Sequence, residues 1–239
     1  MRHPHRALTT PLKPSAKLHR IYTRLLTAYG PQRWWPAETA FEVVIGAYLT
    51  QNTSWRAVEK SIANLAAAHC LTIDGLRAVP EDELRTLIRP SGYMIRKAAA
   101  LKAFVAMLDR DHAGRLDLLA AQPAAPAREA LLSLPGVGPE TADAILLYAL
   151  GHPVAVVDEY LRRVVTRHGM LPAKAKYLEI QSLALSTFAG EPIESHVRHH
   201  NEFHALIVEV GKRHCGPTPR CAGCPLAEKA LTPPPDAIP

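Results

Sequence analysis

The chain has no long apolar run. Its longest, Ala144 to Val157, is broken by Gly151, His152 and Pro153, so no segment reads as a membrane span. The N-terminal stretch, residues 1–14, is basic but has no apolar core, and we expect no signal peptide there. Alternating strand patterns are missing too. The run Val154-Ala155-Val156-Val157 is short and isolated and reads as a buried approach to a helix. There is no internal repeat, and no low-complexity segment beyond the Pro-rich tail from Thr232, which we expect to be mobile. Cysteine is scarce, with four in 239 residues, three of them near the C-terminus. Clustered thiols in a chain without an export signal point to metal binding rather than a disulfide framework.

The composition is that of an ordinary folded protein, 48% hydrophobic and 21% charged, long enough for one large domain or two small ones. The net charge of +6 and pI of about 9.3 favour a polyanionic partner, a weak signal by itself. The pattern is helical almost throughout. Leu18, Ile21, Leu25, Leu26 and Tyr29 form an apolar stripe after a candidate cap at Ser15, ended by Gly30. Phe41, Val44, Ile45, Tyr48 and Leu49 form a second stripe. Trp55, Val58, Ile62 and Leu65 form a third, with Thr53 as its candidate N-cap. Further helices are predicted over 81–88, 95–109, 127–133, 139–150, 159–168, 175–188 and 193–213, with a linker at 123–126.

The most informative segment is 134–158. Leu134-Pro135-Gly136-Val137-Gly138 is a Gly-punctuated turn between two helical segments. Gly136 and Gly138 can take positive φ and let a phosphate approach the backbone, where turn N–H groups would meet it without reading sequence. A plain helical hairpin with glycine caps fits the same five residues. About 20 residues on, Asp158 stands alone behind an apolar run. It can cap the next helix. It can also stabilise an oxocarbenium-like sugar or orient water onto C1′.

With Leu49-Thr50-Gln51-Asn52-Thr53, the hairpin, Val156-Val157-Asp158 and the C-terminal cysteines, residues 15–230 resemble the helix-hairpin-helix DNA glycosylases of the endonuclease III superfamily. The resemblance implies an all-α fold of two helical lobes with DNA in the cleft between them, and its acid falls on Asp158. The hairpin residues Gly136, Val137 and Gly138 would then bind DNA. Gln51 and Tyr93 match loop residues that fill the gap left by a flipped base, although a polar loop residue and a packing aromatic are the plainer alternatives. Bifunctional endonuclease III has a Schiff-base lysine two residues after the second hairpin glycine; here that residue is Glu140, which points to a monofunctional enzyme. The adenine-specific branch has a catalytic glutamate where this chain has Gly46. Arg33-Trp34-Trp35-Pro36, the 49–53 loop, Pro90-Ser91-Gly92-Tyr93 and Glu140 to Leu146 closely resemble the 3-methyladenine glycosylases of endonuclease III type. Trp34, Trp35, Trp55 and Glu140 are therefore the candidate base pocket, where aromatic faces would stack on a cationic alkylated purine. The tryptophans fit a packing role equally well. That subfamily has a pocket lysine in its last long helix, where this chain has Leu206.

Cys215, Cys221 and Cys224 resemble the iron–sulfur loop of endonuclease III. A fourth cysteine would be expected near position 230, which is Ala230, and Cys70 lies far away and reads as a small buried residue. A 4Fe-4S cluster with a non-cysteine fourth ligand is the preferred reading, with Asp236, Glu228, His214 or solvent as that ligand. A three-iron cluster, zinc, no metal and a redox-active pair are the alternatives. His196, His200 and His204 have ligand spacing, but a solvated helix face is the simpler reading. Lys97, Lys102 and Arg96 contact phosphates or form a solvated face.

The expected organisation is a flexible tail over 1–14, a discontinuous lobe over 15–36 and 151–230 carrying the iron–sulfur loop, a six-helix barrel with the hairpin over 37–150, and a tail over 231–239. The expected function is a base-excision glycosylase favouring alkylated purines. It would be a cytoplasmic monomer, nucleoid-associated if bacterial, acting on double-stranded DNA and not on membranes. An endonuclease III-type enzyme for oxidised pyrimidines with weak lyase activity, or a catalytically impaired DNA-binding homologue, would share most of these features.

Overall fold

The computed structural model describes residues 12–32 and 37–227. Trp34, Trp35, both tails and positions 228, 230 and 236 lie outside these residues. Among the described residues every regular element is helical, and none is long and apolar enough to cross a membrane. Contacts divide the chain into two units. One holds residues 33–158 and 192–204; the other holds 1–32, 159–191 and 205–239.

In the first unit, α2 (Ala40–Leu49), α3 (Trp55–Ala67), α4 (Ile73–Ala78), α5 (Glu81–Leu87), α6 (Met94–His112), α7 (Leu116–Ala120), α8 (Ala124–Leu132) and α9 (Pro139–Ala144) follow in order. Residues 192–204 add the first half of α12 (Ile193–Arg213). The core gathers around α6, where Leu101, Phe104 and Leu108 are fully buried against α2, α4, α5 and α7. The Phe104 ring stands 6.1 Å from Tyr48 in an edge-on arrangement and 6.4 Å from Phe41. Each such side chain contributes roughly 1.5–3 kcal/mol by leaving water.

Several local expectations change here. Helix α3 is capped at Ser54, with no side-chain bond, and the Thr53 hydroxyl is engaged elsewhere. The stretch 123–126 is not a linker. It opens α8, and Pro126 falls in the first turn, where a missing N–H breaks no helical bond. Helices α4 and α7 were not predicted.

The second unit contains α1 (Pro14–Tyr29), α10 (Glu159–Arg167), α11 (Tyr177–Ser186) and the second half of α12. Helix α1 starts after Lys13 with Pro14 in its first turn, one residue earlier than a cap at Ser15 implies. It buries Leu18, Ile21 and Leu25 and packs on α11. Helix α10 buries Leu161, Val164 and Val165. Where it meets α12, a Cβ on Gly211 would come within 2.2 Å of the Tyr160 ring, so only glycine fits.

Candidate nucleic-acid interface and active site

The hairpin is held by buried charge. Asp143 in α9 has no exposure and takes two bonds from Arg128 in α8, at 2.6 and 3.1 Å, so a bidentate pair fixes the two helices. Gly136 has φ +76, a backbone that L side chains rarely adopt. Gly138 does not: at φ −96 it is extended and serves as the N-cap of α9 without a side chain. Nothing lies within 4 Å of where its Cβ would be, so the space beside it is open.

A second brace comes from the 49–53 loop. The Gln51 amide donates to the Gly136 carbonyl and the Thr141 hydroxyl, both at 2.9 Å, and so is committed to the hairpin. The exposed apex is its neighbour Asn52, with φ +52. Sequence reasoning passed over Asn52, though asparagine is among the few residues with a side chain that tolerate a left-handed apex. Tyr93, with φ +48, is 60% exposed next to the equally exposed Ile95.

Lys97 connects the two loops. It is 4% exposed, and its ammonium donates to the carbonyls of Leu49 and Ser91, each at 2.8 Å, and to the Thr53 hydroxyl at 2.9 Å. Burial pushes its pKa down to about 8, so it remains charged at neutral pH. Lys102 likewise binds the carbonyls of Leu76, Arg77 and Val79. Both lysines are therefore structural, against the surface roles expected for them, because unsatisfied carbonyls at loop and helix ends attract an ammonium. Arg96 is exposed.

Asp158 ends the buried run Ala155-Val156-Val157 just before α10. Its side chain is 10% exposed, and one carboxylate oxygen lies 3.7 Å from His204 Nε2. His204 Nδ1 lies 2.7 Å from the Tyr148 hydroxyl. His200, one turn earlier on α12, is 2% exposed. The histidine stripe is therefore not a solvated face, because this side of α12 packs inward. Burial, then His196 and His199, push His200 down to about 4, so it is neutral.

A cavity of about 260 Å³ opens in the same unit, lined by Trp55, Gly46, Ile62 and the carboxylates Glu42 and Glu59. The Trp55 indole donates to Glu59 at 2.9 Å. Glu140 stands apart from these lining residues, exposed in the first turn of α9.

In the other unit, Cys215, Cys221 and Cys224 line one cavity of about 370 Å³ with Arg167, His214 and Arg220. Burial raises the Cys224 thiol, and Cys221 and Cys215 raise it further. Arg167 donates to Cys215 Sγ at 3.2 Å. His214 Nδ1 lies 3.0 Å from the Arg220 carbonyl, an oxygen that only accepts, so Nδ1 carries a proton and Nε2 is the ring nitrogen that could meet a metal. Three soft donors around one cavity fit an iron–sulfur cluster in kind and fall one thiolate short in number. Among the described residues no set of three His, Cys, Asp or Glu closes on a single ion. Cys70 is buried in the other unit.

Residues 45–188, more than half the chain, match the model of the HhH-GPD superfamily base excision DNA repair proteins. The chain belongs to that family. A putative DNA repair glycosylase of Methanocaldococcus jannaschii is 41% identical over 216 residues, 90% of this chain and 96% of the relative. Among solved structures, the Helicobacter pylori 3-methyladenine DNA glycosylase MagIII bound to 1,N6-ethenoadenine superposes with a TM-score of 0.73 at 29% identity, covering 84% of this chain and 98% of that one. An endonuclease III–DNA complex superposes with the same TM-score at 26% identity, covering 90% and 94%. The all-α fold and the endonuclease III-like family expected from the motifs are thereby established. Within this family, the features missed in the sequence are Asn52, the Arg128–Asp143 pair, the Lys97 junction and the carboxylates beside Trp55.

Proposed function

We propose that this chain is a monofunctional DNA glycosylase that binds damaged duplex DNA as a monomer and removes alkylated purines. The observation that carries the reading is the Asp158 carboxylate, nearly enclosed at the end of a buried apolar run. Gly136, Val137 and Gly138 would hold a phosphate with Gln51 bracing them from behind, while Asn52 and Tyr93 would occupy the gap left by the flipped base.

The Trp55 cavity supports the choice of substrate. An N-alkylated purine nucleoside carries a positive charge, which an aromatic face and two carboxylates attract. When C1′–N breaks, its electron pair neutralises the departing base, so no second acid is needed to protonate it. The charge moves to the sugar, where Asp158 would stabilise it and take the proton of the attacking water. With Glu140 in place of the lysine of bifunctional relatives, the product would be an intact abasic site. We assign the thiol cavity to a 4Fe-4S cluster held by Cys215, Cys221 and Cys224 with a non-cysteine fourth ligand, for which His214 Nε2 is the candidate. Bound there, such a cluster would tie the loop together and add a redox centre.

The test is a set of duplexes, each with one defined lesion, assayed for base release and strand scission. Release of alkylated purines without borohydride trapping is expected, and Asp158→Asn should abolish it while duplex binding persists. Efficient trapping at the rate of base release, or near wild-type excision by Asp158→Asn, would overturn the assignment.

A further inference from the structure

The helix after the hairpin does not stay regular. From Ile145 to Ala149 it widens into a π turn, with the Leu150 N–H reaching back five residues to the Ile145 carbonyl at 3.1 Å. Such turns insert one extra residue and re-aim the side chains around it, often at functional sites. The side chain placed here is Tyr148. Its hydroxyl meets His204 Nδ1 at 2.7 Å and lies 3.3 Å from the Asn201 carbonyl. His204 in turn faces Asp158 through Nε2 at 3.7 Å, with its side chain 11% exposed. Three elements thus converge on one carboxylate: the π turn, α12 and the segment that ends at residue 158.

We propose that Tyr148 and His204 are positioning residues that present an Nε2 proton to Asp158 and fix the direction in which its carboxylate points. The inference rests on the reading of Asp158 as the working carboxylate. The local hydrogen bonding supports an Nε2–H in both charge states of the ring. With neutral imidazole, the tyrosine hydroxyl donates its short bond to Nδ1, and the ring proton sits on Nε2. With imidazolium, Nδ1–H donates to the tyrosine oxygen, and the hydroxyl turns its proton to the Asn201 carbonyl. Nε2–H faces the carboxylate either way. Without the Tyr148 hydroxyl, only the more distant carboxylate favours this tautomer of a neutral ring. At 3.7 Å the Nε2–Asp158 contact is an electrostatic one, which draws the carboxylate toward the ring.

The surroundings keep the tyrosine in its part. Burial, then Asp158 and Glu202, raise its pKa well above the ordinary phenol, so it stays protonated. Asp158 and Tyr148 face His204, Glu202 acts on the Tyr148 phenol, and the neutral His200 lies one turn back on α12. In the reaction, a water oxygen bonds to C1′, the C1′–N pair leaves with the base, and the water proton passes to Asp158. A carboxylate turned away from C1′ can take no proton there, so the relay acts by holding its direction.

The direct measurement is the 15N ring spectrum of His204 in the full-length protein, its signals assigned with His204→Gln. The wild type should show a proton on Nε2. In Tyr148→Phe, which removes only the hydroxyl, part of the signal should pass to the form with the proton on Nδ1 alone. Single-turnover release of methylated bases from a dimethyl sulfate-treated duplex should fall about tenfold in His204→Phe and by less in Tyr148→Phe, which serves if His204→Phe does not fold. His204→Gln, which restores an N–H donor, should recover part of the loss. A wild-type ring with its proton on Nδ1 alone, or a ring spectrum unmoved in Tyr148→Phe, overturns the relay, whatever the activity. Full excision by Asp158→Asn overturns the catalytic reading instead, leaving the ring spectrum to stand by itself.

Discussion

The hairpin and the thiol loop are both short irregular segments, but they are held in different ways. The hairpin is fixed from behind by a buried bidentate ion pair, Arg128–Asp143, and from the side by both bonds of Gln51. The loops beside it meet on one buried ammonium, Lys97. The thiol loop is held by arginine bonds to carbonyls and to one sulfur: Arg167 to Cys215, Gly216 and Pro217, and Arg220 to Lys212 and Arg213. Its three thiols line a cavity rather than packing it closed. The first region is complete as protein. The second has the form of a loop built around a guest.

The comparison can be broken from the hairpin side most sharply. Arg128→Ala removes both arms of the ion pair from a fully buried carboxylate, which costs roughly 3–5 kcal/mol. Chemical denaturation should show that loss in the unit that carries the hairpin. A loss under about 1 kcal/mol would mean that Asp143 is solvated and the brace is not what holds the turn.

Acid should separate the regions next. His200 titrates near 6.5 when unfolded and is pushed down to about 4 when folded. Its native form is therefore the neutral one. Its stabilisation is complete above pH 6.5 and drains away as pH falls toward 4, by up to about 3 kcal/mol. Thermal melts across that window should show the 33–158 unit weakening. In His200→Leu the slope should flatten.

Gln51→Ala removes two hydrogen bonds at a partly solvated site, a change of about 1 kcal/mol. Duplex affinity should fall with it, because the turn that would meet the phosphate loses its brace. The smallest effect sharpens the contrast. Cys224→Ser should leave unfolding of the hairpin unit within about 0.5 kcal/mol of wild type, since the thiol lies in the other unit. The same substitution should remove iron and the charge-transfer absorbance from protein purified anaerobically. A colourless, iron-free wild type would end the idea of a guest.

The longer helices could be read from the sequence because their apolar stripes run for three turns or more. The stripe Leu18, Ile21, Leu25 belongs to α1, and Phe41, Val44, Ile45, Tyr48 to α2. Helices α4 and α7, six and five residues long, are too short for any period to show. The hairpin and Asp158 were visible as motifs, but their supports were not. Lys97 looked like any surface lysine, because its three acceptors come from segments 6 to 48 residues away. Thr53 looked like a cap for the same reason: its hydroxyl turns to Ser91, which no local pattern predicts. The histidines spaced by four looked solvated, because spacing gives a face of the helix but not the direction in which it points.

Asn52 and Tyr93 have a consequence in time rather than energy. Both hold left-handed backbone at exposed tips. The loops that carry them are tied by Lys97 to the carbonyls of Leu49 and Ser91, so their strained shape is held from within the chain. A glycosylase of the kind proposed passes thousands of sound base pairs for each damaged one. A tip that had to fold at every stop would set the pace of the search by its own folding. Here the tips arrive folded, and the dwell at each base pair is left to the base pair itself, with weakened pairs opening first.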